Sequence, residues 1–201
     1  MLGGLLIWLS SQVSEDPHPA SVPQRCVLPT DFAYLEQQLA VCAEFIRLQP
    51  DNPDGYMDRG LIFLDLGAFD YAAADFSQAH SLDRANPWAL ANLGVASAWK
   101  KDKAGARRAF DAVRSVDPSN PAMLRGEAIL KQQEGDIAAA VDFLSRSMVR
   151  DPDNLWALRT RSELYWELGE HEKSAEDDSC WVELKKKNRS NEQAARQQGM
   201  P

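Results

Sequence analysis

The chain has 201 residues and a mass of 22.4 kDa, the size of about one or two domains. Apolar residues make up 44%, charged residues 26%, and Gly and Pro 11 each, ordinary globular proportions that exclude collagen-like, low-complexity and wholly disordered chains. The 30 acids outnumber the 22 Lys and Arg for a net charge of −8, so no nucleic-acid partner is expected, because a general nucleic-acid binder needs a basic surface.

Residues 1–29 read as an apolar start followed by a flexible linker. The run from Leu5 to Leu9 is apolar but far below the roughly 20 residues of a membrane-spanning helix. No Lys or Arg precedes it, so the basic start of a signal peptide is missing. Two readings fit: the end of a longer export signal or membrane anchor, or an apolar terminus that frays or packs on the first helix. Exported or tethered and cytoplasmic locations therefore both stay open, with membrane contact possible through this segment. Residues 11–29 are rich in Ser and Pro, as linkers are. Residues 30–52 then predict a capping helix from about Thr30 or Asp31 to Leu48, with an apolar stripe of Leu35, Leu39, Cys42, Phe45, Ile46 and Leu48.

From there the chain repeats. Asn-Pro recurs at Asn52-Pro53, Asn86-Pro87 and Asn120-Pro121, 34 residues apart each time. Cutting at these points gives the windows 53–86, 87–120, 121–154 and 155–188, which align without a gap. Each window reads as two helices. The Asn ending one window can cap the next helix, and Pro suits the first helical position. Tyr56, Leu90, Leu124 and Leu158 hold position 4. Small residues hold position 8 (Gly60, Gly94, Ala128, Ser162) and position 20 (Ala72, Ala106, Ala140, Ser174), where helices can approach closely. Gly67, Gly135 and Gly169 at position 15 suit a turn, with Lys101 in their place in the second window. Asp117-Pro118 and Asp151-Pro152 stop second helices.

This pattern resembles the tetratricopeptide repeat (TPR) family, with its large residue at position 4, small ones at 8 and 20, and Pro at 32. The resemblance covers 136 of the 201 residues. It implies an all-α fold: a right-handed α-solenoid of helix-turn-helix repeats, with the extra N-terminal helix before them and a C-terminal helical extension after. Departures are Arg84 and Lys186 where Pro is usual, and Asp178 where an aromatic is usual at position 24. The last repeat's second helix is therefore expected to be the looser, more solvated cap. Residues 189–201 complete a basic, polar tail read as an extension of that helix. Asn188-Arg189-Ser190 matches a glycosylation sequon, a match short enough to arise by chance.

Position 7 is usually apolar in the family, yet Arg59 and Arg161 occupy it, and both of their repeats carry Asp at position 23, Asp75 and Asp177. The co-occurrence predicts structural ion pairs between the two helices of a repeat. The resemblance further implies a concave face formed by positions 2, 5, 9, 12 and 13. Carried onto this sequence, it selects Trp88, Trp99, Arg125, Ile129, Trp156, Arg159, Glu163 and Trp166. Aromatic and Arg residues are frequent binding anchors, although Trp88 and Trp156 also suit packing between repeats. The expected function is a non-catalytic interaction module or scaffold that takes a peptide or partner protein in this groove. The alternative is a membrane-tethered assembly subunit. The family's carboxylate clamp needs Lys and Asn at set positions. Asn92 alone matches, so no chaperone-tail partner is expected, and Asn92 joins the candidate groove residues.

Enzymatic readings find little support. His18, His80 and His171 are scattered, and no phosphate loop, metal-ligand motif or nucleophile-base spacing is present in the sequence. No catalytic residue, metal or cofactor is expected. An oxidising compartment would allow Cys26 and Cys42 to pair, a pairing the sequence leaves open, and Cys180 is read as a buried free thiol. The charge is uneven: the second repeat holds six bases against three acids, and its neighbours are acidic. Lys100, Lys101, Lys103, Arg107 and Arg108 in that repeat either attract the acidic flanks of adjacent repeats or serve an acidic partner.

Overall fold

A computed structural model describes residues 32–197 of the chain, and these fold into helices alone. The helices are α1 (Phe32–Leu48), α2 (Pro53–Asp65), α3 (Phe69–Leu82), α4 (Pro87–Trp99), α5 (Lys103–Val116), α6 (Pro121–Gln133), α7 (Ile137–Arg150), α8 (Leu155–Glu167) and α9 (His171–Gln197). Within each repeat the two helices pack on each other, as α2 on α3, α4 on α5, α6 on α7 and α8 on α9. The N-terminal helix α1 covers α2. The described residues thus form an all-α solenoid.

The helix starts follow from local chemistry. The Asn52, Asn86, Asn120 and Asn154 side chains accept from the backbone N–H of Asp54, Trp88, Met123 and Ala157 at 3.0, 2.9, 3.1 and 2.9 Å. Each satisfies a donor that the first helical turn leaves unpaired. The turns follow just as directly. Gly67, Gly135 and Gly169 adopt φ of 70°, 79° and 77°, and Lys101 holds the same left-handed conformation at 63°. The lysine is tolerated there because the turn geometry is set by the two helices on either side.

Packing at the small positions is tight. A Cβ on Gly60 would lie 2.6 Å from the Phe76 ring, so only a hydrogen fits there. Phe110 of α5 fills the same role between Gly94 of α4 and Gly126 of α6, joining the second repeat to the third. It is fully buried within the largest core cluster, with Val113, Leu124 and Leu130. The junctions between repeats differ. Second and third repeats meet through α4 on α6, whereas first meets second mainly through α3 on α4, and third meets fourth through α7 on α8.

Two arginines sit inside this packing. Arg59 of α2 donates from Nε and Nη2 to both carboxylate oxygens of Asp75 on α3, each at 2.7 Å. Arg161 of α8 does the same to Asp177 on α9 at 2.7 and 2.6 Å, and its Nη1 reaches Ser145 Oγ at 3.0 Å. In both arginines the hydrogen bonds donated to the carboxylate raise the guanidinium pKa, against the opposing effect of burial. The second repeat has Leu93 and Ala109 at these places and needs no pair.

The bases of the second repeat reach acids on both neighbours. Lys100 pairs with Asp70 at 2.6 Å, Arg107 with Glu134 at 2.7 Å, and Arg114 with Glu127. Much of the basic patch is thus part of the stack's own electrostatics. One expectation is corrected here: Cys180 is exposed, not buried. It lies on α9, whose outer face has no further repeat to cover it among the described residues. Cys42 is buried in α1, and Cys26, with which it could pair, lies outside the described residues, as does the apolar start. At Asp178, where an aromatic is usual, the carboxylate instead accepts from Ser162 Oγ at 2.8 Å, so α9 is tied to α8 there by a hydrogen bond.

Candidate functional site

A cavity of about 560 Å³ opens along the first helices of the repeats. Helix α2 and its turn supply Leu61, Leu64, Asp65 and Gly67, with Phe69 from the start of α3. Helix α4 adds Asn92, Val95 and Trp99; α6 adds Arg125 and Ile129; the start of α8 adds Asn154 and Trp156. One wall is aromatic. Trp99 stacks on Phe69 at 5.6 Å with the rings 6° apart, and meets Trp156 edge-on at 6.3 Å and 82°. This chain of rings links the first, second and fourth repeats across the groove.

The polar groups are few. Arg125 is mostly buried, its side chain 15% exposed, and its Nη1 donates to Asp151 Oδ2 at 2.9 Å. Burial draws its guanidinium pKa below the ordinary value, and Asp151 partly offsets that. Asp151 Oδ2 also accepts from Asn154 Nδ2 at 2.8 Å, which ties the arginine's partner to the cap of α8. Asn92 is buried and donates from Nδ2 to the Trp88 carbonyl at 3.0 Å. Asp65 is open to solvent, yet the concave wall surrounds it closely enough that desolvation raises its carboxyl pKa.

Five sequence candidates thus share one cavity: Asn92, Trp99, Arg125, Ile129 and Trp156. The other four stand apart from its lining. Trp88 is partly exposed beside the cap of α4. Arg159 turns to Glu163 at 2.9 Å and Asp178 at 3.3 Å, drawn towards α9 by the acid that replaces an aromatic there. Glu163 is held in the same cluster. Trp166, 65% exposed, packs against His171 with ring centres 4.3 Å apart. The lining also includes residues that the choice of aromatics and arginines passed over. Leu61, Leu64, Asp65 and Val95 occupy positions 9, 12, 13 and 9 of their repeats, so the same register contained them. Phe69, the first residue of α3, and Asn154, the cap of α8, lie outside that register and line the cavity from the helix starts.

No group of His, Cys, Asp and Glu among the described residues is arranged to hold a metal ion. No described helix is long and apolar enough to cross a membrane.

No protein-family model and no curated protein matches this sequence. Solved structures do. A thermophilic TPR protein of Thermus thermophilus superposes with a TM-score of 0.62 at 13% identity, over 79% of this chain and 90% of that one. A chain of the APC/C hetero-tetramer Cut9–Hcn1 gives 0.62 at 11% identity, over 76% of this chain and 31% of that one. A tetratricopeptide repeat protein of Parabacteroides merdae gives 0.54 at 17% identity, over 80% of this chain and 66% of that one. The fold is that of the TPR proteins. At such identities the likeness is one of architecture.

Proposed function

We propose that this TPR solenoid is a non-catalytic interaction module that holds a peptide or a segment of a partner protein in its groove. The observation that carries the reading is the cavity itself. It is concave, mainly apolar and aromatic, and punctuated by a few polar groups, the general character of a recognition site. Its volume is that of a site for a few side chains, not an extended interface. Its polar groups are amides, one guanidinium and one carboxylate held by separate helices, an arrangement suited to recognition. The appearance of a similar helical array in the Cut9–Hcn1 hetero-tetramer supports an assembly role.

The residues proposed to carry binding are Trp99, Trp156, Ile129, Arg125 and Asn92. Trp88, Arg159, Glu163 and Trp166 form a second, more exposed set outside the cavity. The test is capture of binding partners on immobilised full-length protein, followed by titration of the captured partner against Trp99→Ala and Trp166→Ala. Loss with Trp99→Ala and retention with Trp166→Ala supports the groove. The reverse pattern places recognition on the last repeat and rejects this reading.

A further inference from the structure

The arginine of the groove differs from Arg59 and Arg161 in how it meets its Asp partner. Arg59 and Arg161 each engage both oxygens of their carboxylate, a fork that uses Nε and Nη2 together. Arg125 touches Asp151 through Nη1 alone, and the oxygen it uses is shared with Asn154. Among the described residues this is the one hydrogen bond that Arg125 makes. A guanidinium carries its N–H donors in a rigid fork suited to a carboxylate. Its remaining donors therefore stay unspent in the wall of an aromatic cavity, where desolvation makes a charged partner more valuable. Asp65 lies on the first repeat's side of the same cavity and gives that side the opposite charge.

We propose that the cavity recognises a peptide segment in which an acidic residue flanks a large apolar side chain, with a basic residue on the other side. The inference rests on the groove reading above and specifies its partner. The apolar side chain fills the space beside Trp99, Trp156 and Ile129. The acidic side chain accepts from the free N–H groups of Arg125, and the basic side chain meets Asp65. The polarity of the groove fixes the direction of the segment: its acidic end faces the third repeat and its basic end faces the first. Asp65 disfavours a second acid at its end, so a uniformly acidic segment is rejected.

The test is selection of random decapeptides, blocked at both ends, on the immobilised full chain, with a parallel library bearing free C-terminal carboxylates. The expected result is enrichment of Glu or Asp beside Trp, Phe, Leu or Ile in the blocked library, with Lys or Arg on the far side. Changing the selected acid to Gln in the best peptide should weaken binding roughly 10–100-fold, the worth of a hydrogen bond to a charged group. Asp65→Lys, an exposed change, should replace the selected base by an acid. Arg125→Gln should abolish the preference for the acid, and the Gln-for-acid peptide measures the same contact where that variant folds poorly. Blocked peptides selected without acid preference overturn this inference and leave the groove reading standing. Selection confined to free C-termini overturns it too, by assigning Arg125 to a main-chain carboxylate. Failure to select any peptide overturns both readings.

Discussion

Removing Arg161 should destabilise the last repeat more than removing its partner. Arg161 and Asp177 share two hydrogen bonds of 2.7 and 2.6 Å between α8 and α9, with side chains 18% and 7% exposed. A hydrogen bond to a charged group contributes roughly 1.5–3 kcal/mol, and breaking a buried pair costs about 3–5 kcal/mol. The partial exposure of Arg161 lets water reach the site and argues for the low end, about 3 kcal/mol for Arg161→Ala. That change strands a buried carboxylate. Asp177→Ala leaves an arginine that still donates to Ser145 at 3.0 Å and still sees solvent, so about 2 kcal/mol is expected. Replacing both with Leu should return stability to within about 1 kcal/mol of the parent, since no charge remains unpaired. Urea unfolding followed by circular dichroism, with amide hydrogen exchange over α8 and α9, reads these variants, and the Arg161→Ala/Asp177→Ala pair completes the double-mutant cycle. Arg59 and Asp75 provide a second copy, with a smaller effect expected because Arg59 is the more exposed arginine. Additive single changes, or a cost below about 1 kcal/mol for Arg161→Ala, would refute the reasoning.

Lys101→Gly should raise stability by about 1 kcal/mol, because a side chain at φ 63° is strained where glycine is not; thermal unfolding reads it, and an unchanged or lower midpoint counts against the argument. Asn120→Ala should cost about 1–2 kcal/mol and more than Asn86→Ala, since Asn120 is a fully buried cap and Asn86 is not; the comparison is by urea midpoint. Glu134 binds Lys131 and Arg107. The Lys131 hydrogen bond first, with the charges of Lys131, Arg107 and Lys103, holds its carboxyl below the ordinary 4.5. A carboxyl with a depressed folded pKa stabilises fully above its unfolded value and loses that contribution as pH falls through the folded one. Glu134→Gln should therefore flatten the acid limb of the stability profile below pH 4.5, and leave its shape near neutrality unchanged; unfolding midpoints across the acid range check it.

Much of the solenoid was legible before any coordinates. The 34-residue recurrence of Asn-Pro, the small residues at positions 8 and 20 and the glycines at position 15 are local instructions. A cap, a helix start, a close approach and a left-handed turn each need particular residue types at particular spacings, and a repeat states them several times over. The co-occurrence of Arg at position 7 with Asp at position 23 was equally visible in the sequence. The sequence expectation of a buried Cys180 fails because burial depends on what packs on the outer face of α9, which periodicity within one repeat does not record.

The groove required the tertiary structure. Position within the repeat selects the first-helix residues that can face inwards, including Leu61, Leu64, Asp65 and Val95 as well as Trp99 and Arg125. It does not say that Trp99 and Trp156, two repeats apart, meet edge-on, or that Phe69 at the start of α3 stacks on Trp99. Nor does it distinguish Arg125, with one contact to Asp151, from Arg159, drawn away to Glu163 and Asp178. Those outcomes depend on how far each repeat rotates on the next and on which neighbour offers a charge first. The sequence by itself determined the helices, their caps and turns and the order of the stack, because those are set by short-range sterics and hydrogen bonding. The tertiary structure decided which side chains share a cavity, because that depends on distances between residues that no single repeat contains.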